Sequence, residues 1–320
     1  MTTADQTLDP PAARPAEPER RRSIAHEAGE LTRLSWKVVA FNLAYVGLAW
    51  AIALGAIAVF WAHPAWYTFA LAFIVVSSRQ QALLNCEHEA VHRKFLANRR
   101  ANDFVGRYLC AAPVGSPFGA ARARHLSHHQ LLGKPDDPDR ELHQGEDKET
   151  RRGLLRYFLG SLLGGYAGMI LMGPRVRTEP ASTSARADLI SLVVVQGSLF
   201  AGMTLAFAWW VYPALWAVPL ASATAFCHIL RSFVEHAITK SEAGAHSNRL
   251  ITIRSNLLER AIVSPYYMNY HAEHHILPAV PAPRLAELQH RLAARPDAPT
   301  VLVRPSYGAA IRRYLRELSD

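Results

Sequence analysis

Long apolar segments alternate with polar ones along this chain of 320 residues. Residues 38–62 contain no charged side chain. At about 1.5 Å of rise per residue such a run is roughly 36 Å long, which is enough for a helix to cross a bilayer. Three further apolar runs cover residues 65–85, 189–211 and 213–231. The pattern predicts four transmembrane helices arranged as two hairpins.

The basic residues indicate how these helices are oriented. All of the 35 Lys and Arg except Arg79 lie in residues 1–37, 86–188 and 231–320. The two turns within the predicted hairpins contain none. Because Lys and Arg concentrate on the cytoplasmic side of a membrane, both termini and the long central segment are predicted to be cytoplasmic, in a bacterial inner membrane. This topology explains the net charge of +9. Binding to nucleic acid is not predicted, because the sequence shows no basic face with base-reading groups.

Three other segments complete the predicted organisation. Residues 1–35 are rich in Pro, Ala, Arg and Glu, which predicts a disordered basic tail. Residues 154–173 are apolar but interrupted by glycines, so they are expected to lie at the membrane surface. Residues 291–320 are predicted to be a helical cytoplasmic tail. Residues 36–290 would then form an all-α integral membrane domain with a helical cytoplasmic cap.

Nine of the 15 histidines stand in four short motifs just outside the apolar runs. Two motifs follow the second and fourth predicted membrane helices, and the other two lie in the cap. Within a motif the spacings of three and four residues place the rings on one face of a helix. Neutral imidazole is a common ligand of iron and zinc. The candidate ligands are His88, His92, His125, His128, His129, His236, His271, His274 and His275.

Nine imidazoles exceed the four to six positions of a single ion, so the motifs predict two metal ions. A metal-bound imidazole usually donates a hydrogen bond from its other ring nitrogen to a carboxylate or carbonyl group. The candidates for this supporting role are Glu89, Asp136, Asp137, Asp139, Glu235, Asn269 and Glu273.

The other histidines and the cysteines are predicted to lie outside the site. The histidines occur singly, as His26, His63, His143, His228, His246 and His290. The three cysteines lack CxxC spacing and are predicted to be reduced structural thiols, with ligation by Cys86 as an alternative. Two further alternatives are a non-enzymatic metal carrier and an intramembrane zinc protease, in which Glu89 of the HExxH motif would be the general base.

The combined motifs resemble the membrane fatty acid desaturase and hydroxylase superfamily. His88–His92, His125–His129 and His271–His275 are similar to its three histidine boxes, and residues 269–278 are especially similar to its third box. The resemblance covers roughly residues 38–290, with His236 matching an additional ligand. One departure is Ser232, where many acyl-CoA desaturases carry Asn four residues before that histidine.

The resemblance implies a histidine-ligated di-iron centre that cycles between Fe²⁺ and Fe³⁺ and uses O₂ as a co-substrate. It implies an oxidoreductase, and desaturation of a fatty acyl or similar lipid chain is the favoured reaction. Hydroxylation or ketolation of a hydrocarbon, a carotenoid or a small metabolite stays open, because the same ligands serve all these outcomes. No residues beyond the metal centre are assigned a catalytic role.

The sequence also predicts an external electron donor. It contains neither the His-Pro-Gly-Gly motif of a fused cytochrome domain nor a cysteine set for an iron–sulfur cluster. A separate ferredoxin, rubredoxin or cytochrome with its reductase is therefore expected, together with a lipid-like substrate drawn from the membrane.

Overall fold

The computed structural model describes residues 22–26, 28–165 and 183–320. These residues are mostly helical. The helices are α1 (Trp36–Ala62), α2 (Trp66–Val91), α3 (Arg99–Phe104), α4 (Phe118–Leu131), α5 (Arg140–His143), α6 (Arg151–Leu162), α7 (Thr183–Ala206), α8 (Ala225–His236), α9 (Leu257–Ile262), α10 (His271–Ile276), α11 (Leu285–Ala293) and α12 (Tyr307–Glu317). Short 3₁₀ helices lie at Gly29–Thr32, Ala112–Val114, Glu146–Lys148 and Ala282–Arg284, and π-helical turns lie at Val105–Ala111, Pro213–Ala217 and Leu220–Thr224.

A small sheet departs from the all-α prediction. The strands β1 (Ile251–Ile253) and β2 (Leu302–Arg304) pair in parallel. Each strand has only three residues, which is too short for an alternating pattern to stand out in the sequence. The sheet lies beside α10, because the backbone N–H of Ile253 donates to the carbonyl of Asn269 at 3.0 Å.

Among the described residues, three helices are long and apolar enough to cross a membrane, namely Trp36–Ala62, Ala185–Ala206 and the continuous helical stretch Pro213–His236. The protein is accordingly a membrane protein. Helix α1 begins after Ser35, whose hydroxyl accepts the backbone N–H of Val38 at 3.4 Å. It ends just before Pro64, a residue that cannot continue a helix.

Helix α2, the second predicted span, is absent from these three although it has 26 residues. Its second half carries polar side chains that are buried inside the protein. The Gln80 amide donates to the carbonyl of Trp216 at 2.9 Å and accepts from the Thr224 hydroxyl at 2.8 Å. The Asn85 amide donates to the carbonyl of Pro265 at 2.7 Å. These hydrogen bonds satisfy the polar groups internally but lower the apolar character of the helix.

The turns that follow α1 and α7 lie at the same end of the molecule. The ring of Trp61 lies 6.2 Å from that of Trp210 and 5.7 Å from that of Phe207. Phe60 also contacts Trp210 edge to face. Because α2 and α8 both lead away from these turns, their last residues, which carry histidines, lie at the opposite end.

The segment between α3 and α4 packs among the apolar helices. Its π-helical and 3₁₀ turns bury Cys110 and Ala111. Trp216 Nε1 donates to the carbonyl of Pro113 at 2.9 Å, and the Gln196 amide donates to the carbonyl of Ala112 at 2.6 Å. Side chains from α7 and from the helical stretch before α8 thus bind carbonyl groups of this segment. The carbonyl of Leu109, four residues before Pro113 with its missing N–H, accepts from Trp50 Nε1 at 3.0 Å.

Residues of the predicted disordered tail, 1–35, pack against the cap where the structure describes them. Ile24, Ala28 and Leu31 are buried in the same core cluster as Leu288 and Leu292 of α11. The disorder prediction for residues 1–21 lies outside the described residues. The same holds for residues 166–173 of the predicted surface segment, of which the first part forms most of α6.

Candidate metal centre

Four elements present the nine candidate histidines. His88 lies near the end of α2 with His92 directly after it, and His236 is the last residue of α8. Helix α4 presents three histidines and α10 presents the other three. All four elements meet at the end of the molecule opposite the two turns. The histidine side chains therefore converge because each motif lies on a rigid helix or at its end.

Five of these histidines form one cluster, which we call the five-histidine cluster: His88, His92, His125, His129 and His274. One ring nitrogen from each lies within 4.8 Å of those of the others. Nε2 of His129 is 2.9 Å from Nε2 of His125 and 3.0 Å from Nε2 of His274.

The other four, His128, His236, His271 and His275, form the four-histidine cluster, in which one ring nitrogen of each again lies within 4.8 Å of the others. Nε2 of His236 is 3.2 Å from Nε2 of His128 and 3.0 Å from Nε2 of His271. Nε2 of His275 is 3.1 Å from Nε2 of His271. The structure thus brings together all nine predicted residues, in two groups.

Helices α4 and α10 each contribute to both clusters. Adjacent residues on a helix point about 100° apart, so His128 and His129 reach different clusters. The same separation divides His274 from His275. The rings of His129 and His275 stack 4.1 Å apart, between the two clusters. The two groups therefore form one continuous site.

Four imidazoles of the site are held in their neutral form. Burial lowers the pKa of His271, His274 and His275 well below its ordinary value, and neighbouring imidazoles lower it further. Burial lowers the pKa of His92 to about 4, with help from Arg122 and Lys94. Neutral imidazole is the form that binds a metal ion.

The arrangement of the ring nitrogens is better suited to binding metal ions than to hydrogen bonds between the rings. A neutral imidazole has one N–H and one lone pair, so several Nε2 atoms facing each other near 3 Å cannot all be satisfied by hydrogen bonds. Both ring nitrogens of His88 are buried and have no hydrogen-bond partner among the described residues, and the same is true of Nε2 of His92. A metal ion in each cluster would satisfy these lone pairs.

Two predicted supporting carboxylates face the four-histidine cluster. Asp137 Oδ1 lies 2.8 Å from Nδ1 of His128. Glu235 Oε2 lies 3.5 Å from Nδ1 of His271. Burial acts to raise the pKa of Asp137, but its contacts with His128, with His143 and with the backbone N–H of Asp139 together outweigh burial and hold the pKa well below its usual range. The backbone carbonyl of Arg249 lies 3.3 Å from Nδ1 of His236 and completes this outer layer.

The other predicted supporting residues have different contacts. Glu89 accepts the backbone N–H of Ala282 at 3.0 Å, Glu273 accepts the Thr252 hydroxyl at 2.6 Å, and the Asn269 amide donates to the carbonyl of Ile253 at 3.0 Å. These three hold the backbone around the site. Asp136 is exposed, whereas Asp139 pairs with Arg124 and lies 3.9 Å from Nδ1 of His128.

His143 is a site residue that the sequence placed outside the site. It is buried, and its Nε2 lies 3.4 Å from Oδ2 of Asp137. Its ring centroid is 5.2 Å from that of His236. No spacing signals this position, because His143 is separated from the second motif by a turn. Its proximity to the acidic Asp136-Asp137-Pro138-Asp139 run was the available hint.

The remaining histidines and the cysteines do not join the clusters. His26, His63 and His290 are exposed, and neither cluster includes His228 or His246. The three cysteines are buried free thiols. Among the described residues no cysteine belongs to a group that could hold a metal ion, so ligation by Cys86 has no support.

Fold and site together define a helical membrane protein with two adjoining histidine clusters suited to metal ions. Residues 64–307 match the fatty acid desaturase family, and the chain belongs to that family. The matched region includes all four histidine motifs, both strands and every helix from α2 to α11.

Similar proteins include two kinds of enzyme. Dihydrorhizobitoxine desaturase of Bradyrhizobium elkanii is 25% identical over 238 residues, which is 68% of this chain and 65% of that protein. Beta-carotene ketolase of a Paracoccus species is 24% identical over 239 residues, 70% of this chain and 83% of the ketolase. Zeaxanthin 4-ketolase of Chlamydomonas reinhardtii is 33% identical over 107 residues, 33% of this chain and 22% of that protein. The chain therefore spans less than two thirds of the desaturase and of the algal ketolase.

Proposed function

We propose that this protein is an O₂-dependent membrane oxidoreductase in which the nine clustered histidines hold two iron ions, and that it introduces a double bond into a fatty acyl or similar lipid chain. The observation that carries the proposal is the convergence of nine histidines, five of them buried and four half-buried, into two adjoining clusters. Membership of the fatty acid desaturase family supports the reaction class.

Iron with O₂ supplies the oxidising power that breaks an unactivated C–H bond, which no side chain can do alone. The protein holds the ligands on helices or at their ends, and burial keeps several of the imidazoles neutral. Conversion of CH₂–CH₂ to an alkene releases two hydrogen atoms. Reduction of one O₂ to two waters takes four electrons and four protons, so two electrons must come from a donor.

The electron donor is proposed to be a separate ferredoxin, rubredoxin or cytochrome with its reductase. The described residues leave charged groups such as Arg254, Arg312 and Arg316 exposed. A donor with an acidic surface would be attracted to such groups, and turnover would then fall as ionic strength rises. Turnover that is insensitive to salt would contradict electrostatic docking.

We further propose that α2 spans the membrane together with the three apolar helices, giving two hairpins with the site and both termini on the cytoplasmic side. Support comes from the length of α2, from its internally satisfied polar groups and from the contact between the two turns. A bacterial inner membrane is the proposed location.

Ketolation or hydroxylation is the second candidate reaction. Two of the three similar proteins named above are carotenoid ketolases, and one of them has the highest identity of the three, 33% over 107 residues. The zinc protease alternative has less support, because the carboxylate of Glu89 accepts the backbone N–H of Ala282 and the histidines of its HExxH motif belong to a group of five.

Product analysis distinguishes these reactions. Membranes containing the protein would be supplied with O₂, a ferredoxin and its reductase, and either acyl lipids or β-carotene. An alkene product from the acyl lipids, lost in His274→Ala and retained in His290→Ala, is the expected result. An oxygenated carotenoid with no alkene would favour the ketolase, and full activity in His274→Ala would contradict the assigned site.

A further inference from the structure

The C-terminal helix α12 reaches the metal site through its first residue. Tyr307 is buried, and the hydroxyl of Ser306 caps the helix by accepting the backbone N–H of Ala309 at 3.0 Å. The sequence predicted this helix only as part of a tail. Its first side chain nevertheless contacts a residue that lies 72 positions earlier in the chain.

That contact is a hydrogen bond to Glu235, the residue before His236. The Tyr307 hydroxyl donates to Oε1 of Glu235 at 2.9 Å, and Nη1 of Arg231 donates to Oε2 at 2.9 Å. Oε2 also lies 3.5 Å from Nδ1 of His271. All four side chains are buried. Both oxygens of the carboxylate are therefore held, and one of them faces a histidine of the four-histidine cluster.

Tyr307 acts here as a hydrogen-bond donor. Burial raises the pKa of Tyr307 well above its ordinary value, and the nearby Glu235 carboxylate raises it further. The hydroxyl accordingly keeps its proton at neutral pH. Replacing it with hydrogen would remove the hydrogen bond from Tyr307 to the buried Oε1 of Glu235, a loss that burial makes costly.

Two donors from different elements are needed to fix this carboxylate. Arg231 lies on α8, four residues before Glu235, so it moves with the same helix. Tyr307 comes from α12 and restrains the other oxygen. His271 uses Nε2 in the cluster, 3.0 Å from Nε2 of His236, which leaves Nδ1 to meet the carboxylate. Among the described residues Nδ1 of His271 has no hydrogen-bond partner, and Glu235 Oε2 is the carboxylate oxygen that faces it at 3.5 Å. A carboxylate held there favours the tautomer with the proton on Nδ1, which leaves Nε2 free for a metal ion.

We propose that Tyr307 is a positioning residue of the four-histidine cluster, which holds Glu235 against His271 and so strengthens metal binding at that cluster. This inference rests on the proposed function, since it requires the clusters to bind metal ions. It assigns α12 a role in the site rather than in packing alone.

Tyr307→Phe tests the inference, with Tyr314→Phe as the matched control. Tyr314 lies two turns further along α12 and packs edge to face on Phe233 of α8, with ring centroids 4.9 Å apart. Both variants keep the aromatic ring and lose one hydroxyl. The full-length protein would be loaded with Co²⁺ in detergent, and each Co²⁺ would be followed by its absorption spectrum and by competition with a chelator.

Wild type and Tyr314→Phe are expected to bind two Co²⁺ ions with the same affinities. Tyr307→Phe should weaken one of the two by about tenfold and shift its absorption spectrum. Glu235→Gln should weaken the same ion. If Tyr307 acts through Glu235, adding Tyr307→Phe to Glu235→Gln should produce little further loss.

An unchanged affinity and spectrum in Tyr307→Phe would overturn the inference while leaving the proposed function in place. A tenfold loss that persists in the Glu235→Gln background would also overturn it, because the effect would not pass through the carboxylate. Failure of the wild-type protein to bind two ions would contradict the proposed function itself, and the inference with it.

Discussion

Asp137 lies between two histidines that come from different helices. Its Oδ1 is 2.8 Å from Nδ1 of His128, and its Oδ2 is 3.4 Å from Nε2 of His143. The backbone N–H of Asp139 also donates to Oδ1 at 2.9 Å. The carboxylate can thereby fix the tautomer of His128 that leaves Nε2 free for a metal ion. This arrangement makes Asp137 the supporting residue with the shortest contact to a candidate ligand.

Asp137→Asn is expected to weaken metal binding at the four-histidine cluster by about tenfold, because an amide is a weaker acceptor for the N–H of His128. The measurement is metal content after dialysis against a graded series of chelator concentrations. Asp136→Asn, in the exposed neighbouring residue, is the control and should behave as wild type. Equal metal retention in both variants would contradict the role given to Asp137.

The nine clustered histidines could be found from the sequence because helical spacing places each motif on one face. Their division into two clusters could not be predicted from the sequence. It depends on how α4 and α10 cross, which decides that His128 and His129 point to different groups. His143 and Tyr307 escaped prediction because each is a single residue whose partner lies on another element.

Among the contacts between elements, a residue of α7 caps the backbone N–H groups in the first turn of α4. Helix α4 follows Pro117 and has no side-chain cap of its own. Asp188 instead accepts the backbone N–H of Gly119 at 3.0 Å and of Ala120 at 3.2 Å, and it also pairs with Arg107. Because α4 carries three of the nine histidines, this contact links an apolar helix to the site.

Asp188→Ala is expected to lower the free energy of unfolding by about 1–2 kcal/mol for the lost cap alone, and by more because Arg107 loses its partner. Asp188→Asn, which keeps an acceptor oxygen, should be milder. A thermal unfolding series in detergent measures both. Glu287→Ala, at an exposed position of α11, is the control. A melting temperature of Asp188→Ala equal to that of the control would exclude a capping role.

Gly106 allows the π-helical segment to approach α2 beside the first histidine motif. A Cβ atom at this position would lie 2.6 Å from Cβ of Ala90 and 2.7 Å from the ring of Phe118. Gly106→Ala should therefore destabilise the protein by about 1–3 kcal/mol through overpacking. Gly160→Ala is the control, since no atom lies within 4 Å of its added Cβ, and there alanine should match or exceed the stability of wild type. Equal melting temperatures in the two variants would contradict this packing.

The apolar helices show how far sequence patterns predict the bounds of individual elements. The uncharged run at 38–62 predicted α1 to within two residues, since an apolar run of that length has few alternatives. The end of α2 was placed six residues early, because its polar residues indicate solvent until their partners on other helices are known. The two strands lie too far apart in sequence for local patterns to reveal their pairing.

For the whole molecule, the positions of the turns and the site predict a topology. The turn after α1 and the site lie at opposite ends, so His63 and His290 should be on opposite sides of the membrane. In His63→Cys a membrane-impermeant maleimide should label intact spheroplasts. In His290→Cys it should label only inside-out vesicles, and the native cysteines, which are buried, provide the background. Labelling of both from the same side would contradict the topology.

The helices that carry the histidines meet at one end of the molecule, where their side chains form one continuous site. Helices α2 and α8 bring histidines from the apolar region, and α4 and α10 bring the others from the cap. Imidazoles in two adjoining groups can supply the ligands that a pair of metal ions requires. The proposed function therefore depends on the binding of two metal ions by these clusters.

The most direct test is the iron and zinc content per chain of protein purified in mild detergent after growth with ample iron. The two clusters predict about two iron ions per chain. His128→Ala and His274→Ala, one from each cluster, should each lower that content. A content of about one zinc ion per chain, with no iron, would contradict the account and favour the protease alternative.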